Sequence, residues 1–169
     1  SFQRPFAKPG QFGMEIACTK WLEANNYNYE CLSDMDLDES SGILDNYKVL
    51  IVPGHPEYWT INERKEIERF VSNGGKVMFL AGNTCWWQIR YDENNDRMVC
   101  YKDMSVDPVN GIADQLLTLN WSKAPINNPE NSITGLSYKN GGYVNYGNIY
   151  PASDGYGDYA AFKDRKSDV

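Results

Sequence analysis

The residues best suited to chemistry in this chain lie in one short segment, the motif Gly-His-Pro-Glu-Tyr-Trp at residues 54–59. His55 is the only histidine among the 169 residues, and imidazole is the side chain that most readily exchanges a proton near neutral pH. Glu57 follows two residues later, and a carboxylate there can bind a metal ion. The imidazole and carboxylate together predict acid–base or metal-ligand chemistry in this segment.

A strand, a helix and a second strand are expected to position the motif. Residues 48–53 are almost continuously apolar, which is typical of a strand buried on both faces. A capping box at residues 60–63 predicts the start of a helix, and the glycine pair at 74–75 predicts its end. Residues 77–81 are again apolar. The pattern predicts a parallel βαβ unit over residues 48–83, with a right-handed crossover.

Parallel strands deliver their carboxyl ends to the same edge of a sheet, where open α/β folds place their sites. The first loop should therefore face a second polar segment across a crevice, formed by Asn83, Thr84 and Cys85. Two other interpretations stay open. His55 and Glu57 could simply cap the helix and satisfy the loop backbone, or Cys85 could be a nucleophile with His55 as its base.

The remaining segments give weaker signals. Apolar residues at helical spacing predict an amphipathic helix over residues 14–22 that buries Cys18. Residues 27–33, which include Cys31, predict a short buried strand, and residues 34–46 an acidic loop. Apolar runs at 86–91 and 98–101 around a polar stretch predict a β-hairpin. From Gly141 onward, glycine, tyrosine and asparagine predict irregular structure packed over the α/β unit.

The composition limits the class of partner. Sixteen basic and 23 acidic residues give a net charge of −7, which argues against nucleic acid or an anionic membrane as the main partner. No apolar run approaches the roughly 20 residues that cross a bilayer. The four cysteines form no Cys-x-x-Cys pair, so a zinc or redox motif is not expected. We predict one α/β domain over residues 1–169, as part of a larger polypeptide.

An ordered set of motifs resembles a known family, the C-terminal domain of the large (beta) subunit of N,N-dimethylformamidase. The set begins with Ser-Phe-Gln-Arg-Pro-Phe at residues 1–6 and continues with Trp-Leu-Glu at 21–23 and Asp-Met-Asp-Leu at 34–37. The 54–59 motif follows, and then come Gly82-Asn83, Trp86-Trp87 and Cys100-Tyr101-Lys102. The resemblance covers about residues 1–140 and implies an α/β parallel-sheet sandwich similar to class I glutamine amidotransferases.

The same resemblance implies a mononuclear iron site held by two tyrosines and one glutamate. Glu57 matches the glutamate ligand, and His55 matches a histidine that assists a water molecule. Asn83 and Lys102 match polar residues of the pocket. The family's enzyme works with a small partner subunit, so a small subunit or a second copy of this chain is an expected partner. A cytoplasmic location follows only if this protein is like the family.

Two hypotheses follow. The first is a hydrolase-like domain that cleaves the C–N bond of a small amide, with iron polarising the carbonyl, His55 taking a proton, and Asn83 and Lys102 stabilising the oxyanion. The second is a non-catalytic binding or structural domain that has lost the metal. Phe6 stands where the family's element has tyrosine, and at least one tyrosine ligand of the family lies upstream of Ser1. Both departures favour the second hypothesis.

Overall fold

The computed structural model describes residues 13–92 and 97–137, all within one compact unit that spans Ser1–Lys139. Its helices are α1 (Gly13–Ala24), α2 (Asp34–Glu39), α3 (Ile61–Ser72) and α4 (Asn131–Thr134), with 3₁₀ turns at Ile43–Asn46 and Asp114–Leu116. Its strands are β1 (Val49–Gly54), β2 (Tyr58–Trp59), β3 (Lys76–Ala81), β4 (Trp87–Gln88), β5 (Arg90–Tyr91) and β6 (Met98–Val99). The first motif of the resemblance and the segment from Gly141 lie outside the described residues.

The predicted βαβ unit is confirmed. β1 and β3 are parallel neighbours, with Val49 opposite Lys76 and Gly54 opposite Ala81. The helix between them begins as its sequence predicts, since the Thr60 hydroxyl accepts from the Glu63 N–H at 3.1 Å and the Glu63 carboxylate accepts from the Thr60 N–H.

Two further strand pairs surround this unit. β2 pairs in parallel with β4, with Tyr58 opposite Trp87. The predicted hairpin is present in its inner part, where β5 and β6 pair antiparallel through Arg90 opposite Val99. The architecture is therefore mixed α/β with small parallel and antiparallel sheets. A closer likeness to class I glutamine amidotransferases stays a prediction.

The core lies on one side of the β1–β3 pair, against α2 and α3. It consists of buried apolar side chains from these elements and from two loops: Leu37, Leu44, Val52, Trp59, Ile67, Phe70, Cys85 and Trp121. The expectation that both strands are buried on both faces was wrong. Val49, Met78 and Leu80 are each nearly half exposed, because the core packs against the opposite face of the pair, which carries Leu50, Val52, Val77 and Phe79.

Two predictions upstream of β1 were also wrong. Residues 27–33 form no strand, because the segment bonds to α1 and not to another strand. The Tyr27 N–H donates to the Leu22 carbonyl at 3.0 Å, Trp21 stacks on Tyr27 at 5.5 Å, and the Tyr29 hydroxyl donates to Glu23. Cys31 in this segment is exposed and Cys18 is only half-buried. The acidic stretch over residues 34–46, predicted as a loop, begins with a helix. Ser33 and Asp36 form the capping box at the start of α2.

No helix in the described ranges is long and apolar enough to span a membrane.

The capping carboxylate of α3 predicts a distinctive pH dependence of stability. Burial raises the pKa of Glu63 well above its usual 4.5, and the negative charges of Asp34 and Asp38 add to this, against the hydrogen bond from Thr60. The folded protein therefore holds a proton that the unfolded chain releases, so stability falls as pH rises above about 4.5 toward the folded-state pKa.

We expect Glu63→Gln to remove that loss, because the amide oxygen still accepts from the Thr60 N–H but carries no charge. Urea unfolding of both proteins at several pH values should show the variant gaining stability relative to the wild type as pH rises. Acids such as Glu66, whose pKa is lowered to about 2, chiefly by Arg69, titrate alike in both proteins. A difference that does not change with pH would contradict the prediction.

Candidate active site

Backbone hydrogen bonds join the two loops that sequence analysis placed across a crevice. The Glu57 carbonyl accepts from the N–H groups of Trp86 and Trp87, both at 2.9 Å, and the Pro56 carbonyl accepts from the Cys85 N–H at 2.8 Å. These bonds continue into the β2–β4 pair. The expected meeting of the two loops is therefore confirmed.

A compact cluster of four side chains forms around Trp87. The Trp87 indole N–H donates to Glu57 Oε1 at 3.1 Å. The Lys102 ammonium lies 4.7 Å from the centre of a Trp87 ring and donates to the Tyr58 hydroxyl at 2.9 Å. One indole thus holds a carboxylate at its edge and contacts a cation on its face. The Trp86-Trp87 motif of the sequence does not by itself predict this bridging position.

The backbone of Lys102 is positioned by a chain of hydrogen bonds. Its N–H donates to the Thr118 carbonyl at 3.0 Å, and its backbone is left-handed, with φ +64°. Asp107 accepts from the N–H and hydroxyl of Thr118, at 3.0 and 2.9 Å, and also pairs with Arg90. Burial raises the pKa of Asp107, but these donors outweigh it and lower the pKa to about 2. Asp107 therefore stays ionised in mildly acidic solution and continues to accept the hydrogen bonds of Thr118.

The charge of Lys102 is retained at this position. Partial burial lowers its pKa, but the Tyr58 hydroxyl and the nearby Glu57 carboxylate outweigh that effect and raise it above the usual value. The side chain is therefore an ammonium group at neutral pH. Lys102 does reach the loop that carries Glu57, where it can donate a hydrogen bond to a developing negative charge.

His55 and Asn83 follow the carboxyl ends of β1 and β3, in the segments that lead to β2 and β4. His55 is exposed, and its imidazole forms no hydrogen bond with another described residue. Asn83 has a left-handed backbone, φ +53°, and its Oδ1 is buried with no hydrogen-bond partner in the described ranges. Neither His55 nor Glu57 caps α3, which Thr60 and Glu63 cap themselves. The capping interpretation was therefore wrong.

The structure opposes a nucleophilic role for Cys85. Its side chain is fully buried in the apolar core, where the Arg64 guanidinium approaches the sulfur at 3.8 Å. Burial raises the pKa of the thiol, and the opposing effect of Arg64 does not offset it. A thiol that stays protonated and out of contact with solvent is a poor nucleophile.

The described residues offer one ligand for the implied iron site, the Glu57 carboxylate, and not a complete set of ligands. Glu57 has one oxygen bonded to the Trp87 indole and a second oxygen free to bind a metal, and ligand carboxylates are commonly held in this way. Within residues 13–92 and 97–137, however, no three His, Cys, Asp or Glu side chains are grouped so that they could hold a metal ion. Tyr58, which follows Glu57 in the sequence, accepts a hydrogen bond from Lys102. The two tyrosine ligands implied by the family resemblance stay a prediction.

Comparison with known proteins agrees with the ordered motifs. The profile of the family described as "N,N-dimethylformamidase beta subunit-like, C-terminal" matches residues 1–163. The chain is 35% identical over 68 residues to the N,N-dimethylformamidase beta subunit of Alcaligenes sp. and 34% identical over 68 residues to that of Paracoccus aminophilus. Each match covers 40% of this chain and 9% of the relative's length. The chain therefore belongs to the family of N,N-dimethylformamidase beta subunit-like C-terminal domains.

Proposed function

We propose that this domain forms part of the active site of a hydrolase that cleaves the C–N bond of a small neutral amide. The observation that carries the proposal is the cluster of Glu57, Trp87 and Lys102 beside His55, in a chain whose family includes amide-hydrolysing relatives by name. The domain lies within a longer polypeptide in this proposal, with a small subunit or a second copy as possible partners.

The reaction adds water across the amide: a C–O bond forms, the C–N bond breaks, and the products are a carboxylic acid and an amine. In the proposal the Lys102 ammonium donates to the carbonyl oxygen as its negative charge develops. His55 takes the proton from water and returns a proton to the leaving nitrogen. The half-buried faces of the neighbouring tryptophans receive the apolar part of a small amide.

In this proposal, Glu57 is the one described residue that would bind iron. With ligands from outside the described residues, the Glu57 carboxylate would hold the ion, which would supply Lewis-acid polarisation of the carbonyl and lower the pKa of water. The hydrogen bond from the Trp87 indole orients that carboxylate. Lys102 and His55 act on the substrate in the same way whichever residues complete the site.

A second candidate is a non-catalytic binding domain of the same family. It is favoured by the absence, among the described residues, of three grouped His, Cys, Asp or Glu side chains that could hold a metal ion, and by an imidazole that no described side chain orients. A binding domain would still use the Lys102 ammonium and the tryptophan faces to hold a small polar molecule, with no bond made or broken.

The test is metal analysis of the intact protein together with the release of ammonia from formamide and of dimethylamine from N,N-dimethylformamide. Stoichiometric iron, a visible tyrosinate-to-iron absorption band and catalytic amine release would support the hydrolase. A folded protein without iron that releases no amine from either substrate would reject it and leave the binding domain. The same purification without the expressed protein is the control for contaminating amidases.

A further inference from the structure

Tyr58 belongs to the cluster around Trp87 but has no part in the reaction proposed above. The parallel pairing of β2 with β4 places Tyr58 directly opposite Trp87, and side chains opposite each other on neighbouring strands lie on the same face of a sheet. The Lys102 ammonium lies 4.9 Å from the centre of the Tyr58 ring and 4.7 Å from that of a Trp87 ring. One strand pair therefore positions both aromatic side chains that contact this cation.

The Tyr58 hydroxyl holds the charged end of Lys102. It accepts a hydrogen bond from the ammonium at 2.9 Å, and hydrogen bonds from charged donors are stronger than those between neutral groups. Thr118 holds only the backbone of Lys102. A lysine side chain is a flexible four-carbon stem, so a fixed backbone alone leaves the position of its ammonium open, and the phenol oxygen restricts it.

The position of this ammonium matters because an opposite charge is close by. Glu57 accepts from the edge of the same indole whose face Lys102 contacts. Burial acts to lower the pKa of Lys102, yet the Glu57 charge is near enough to be among the effects that raise it. No ion pair joins the two groups in the part of the chain that the structure describes. An ammonium released from Tyr58 would be drawn onto this carboxylate by Coulomb attraction.

We propose that Tyr58 is a positioning residue that keeps the Lys102 ammonium on Trp87 and apart from the Glu57 carboxylate. An ion pair between Lys102 and Glu57 would occupy the carboxylate oxygen that is free to bind a metal and would turn the ammonium away from a substrate carbonyl. The inference rests on the proposed function for the use of these two charges, and it adds the residue that stops them from neutralising each other. Tyr58 acts through Lys102 and not on the substrate.

The test follows Lys102 by NMR in the 169-residue chain, so it requires neither metal nor turnover. Protons above an aromatic face are shifted upfield by the ring current, so the Hε signals of Lys102 report its contact with Trp87. Tyr58→Phe keeps the ring and removes the hydroxyl. We expect it to lose most of the upfield shift, because the ammonium moves to Glu57. The Trp87 indole N–H signal should move as well, since its acceptor then also binds Lys102.

Two further variants make the test specific. Adding Glu57→Gln to Tyr58→Phe removes the competing carboxylate, so the ammonium should return to Trp87 and the upfield shift of Lys102 should be regained. Tyr29→Phe is the matched control, because Tyr29 is an exposed tyrosine whose hydroxyl also bonds to a glutamate, on α1. It should leave the Lys102 and Trp87 signals unchanged.

An upfield shift that persists in Tyr58→Phe would overturn the inference, because the hydroxyl would not be needed. A shift lost in both the single and the double variant would also overturn it, because Glu57 would not be what attracts the released ammonium.

Failure here is separable from failure of the proposed function. In the intact protein, Tyr58→Phe should lower kcat for dimethylamine release from N,N-dimethylformamide by about tenfold to a hundredfold with little change in KM, as expected when a catalytic group is misplaced by about 1 Å. The expected NMR changes without any amine release would reject the hydrolase and keep the role of Tyr58. Amine release by Tyr58→Phe at the wild-type kcat, with unchanged NMR signals, would reject Tyr58 and keep the hydrolase.

Discussion

Glu57→Gln should abolish iron binding and lower amide hydrolysis by more than about a hundredfold, since even the outer partners of a metal ligand are typically worth 10- to 100-fold. The substitution is nearly isosteric, and the glutamine oxygen can still accept from the Trp87 indole N–H, which Glu57 accepts at 3.1 Å. The loss would therefore come from the missing negative charge and not from collapse of the loop. Metal analysis, the visible spectrum and amine release measure it.

The matched control is Glu30→Gln, which neutralises an exposed carboxylate that accepts from the Tyr47 hydroxyl, away from β2 and β4. It should retain iron and activity. Circular dichroism and the urea midpoint should be similar for both variants and the wild type. Full iron content and full activity in Glu57→Gln would remove Glu57 from the site and reject the proposed mechanism.

Arg64→Leu should destabilise the fold by about 3–5 kcal/mol, the usual cost of removing one partner from a buried, hydrogen-bonded charge network. Arg64 is 1% exposed. Its guanidinium donates to the Asn128 carbonyl and side chain, both at 2.8 Å, and to Ser132 at 2.8 Å. It also lies 4.6 Å over a Trp121 ring. Leucine would leave these acceptors without a donor.

Urea unfolding gives the free energy of unfolding for this comparison. Lys65→Leu is the matched control, because Lys65 is the exposed basic neighbour on α3 and surface changes usually stay within about 0.5 kcal/mol. Arg64→Lys should fall between the two, since an ammonium group keeps the charge but cannot make the same forked set of bonds. Equal stabilities of the two leucine variants would show that the network contributes little.

The part of the fold that sequence analysis predicted is the part with local signals. The Thr60 capping box, the glycines after α3 and the two apolar runs each act over a few residues, and they sufficed for β1, α3 and β3. Residues 27–33 were misassigned because a strand needs a partner, and strand propensity does not reveal whether one exists. The capping box at Ser33 is also a local signal for a helix, but the many acidic residues that follow it favoured the prediction of a loop.

Sequence could predict the part of the site that lies at the carboxyl ends of β1 and β3. The His55 and Asn83 loops meet there because β1 and β3 are parallel, and this much comes from topology alone. The approach of Lys102 could not be read from spacing, because it depends on Thr118, Asp107 and Arg90 holding a loop far along the chain. The family resemblance predicts a pocket role for Lys102, but its contact with Trp87 depends on the fold of that loop.

The hydrogen bonds that hold Lys102 also determine when the site can exist during folding. We expect the β1–α3–β3 unit to form before the contacts of Lys102, because it is contiguous in sequence and its pairing spans fewer residues than the bond between Lys102 and Tyr58. Lys102, by contrast, bonds to Tyr58 from 44 residues away, and its backbone depends on a segment beyond it in the chain. A folding intermediate that contains only the early unit would present Glu57 and His55 without their cation. Binding of the proposed amide at this edge would therefore report complete folding.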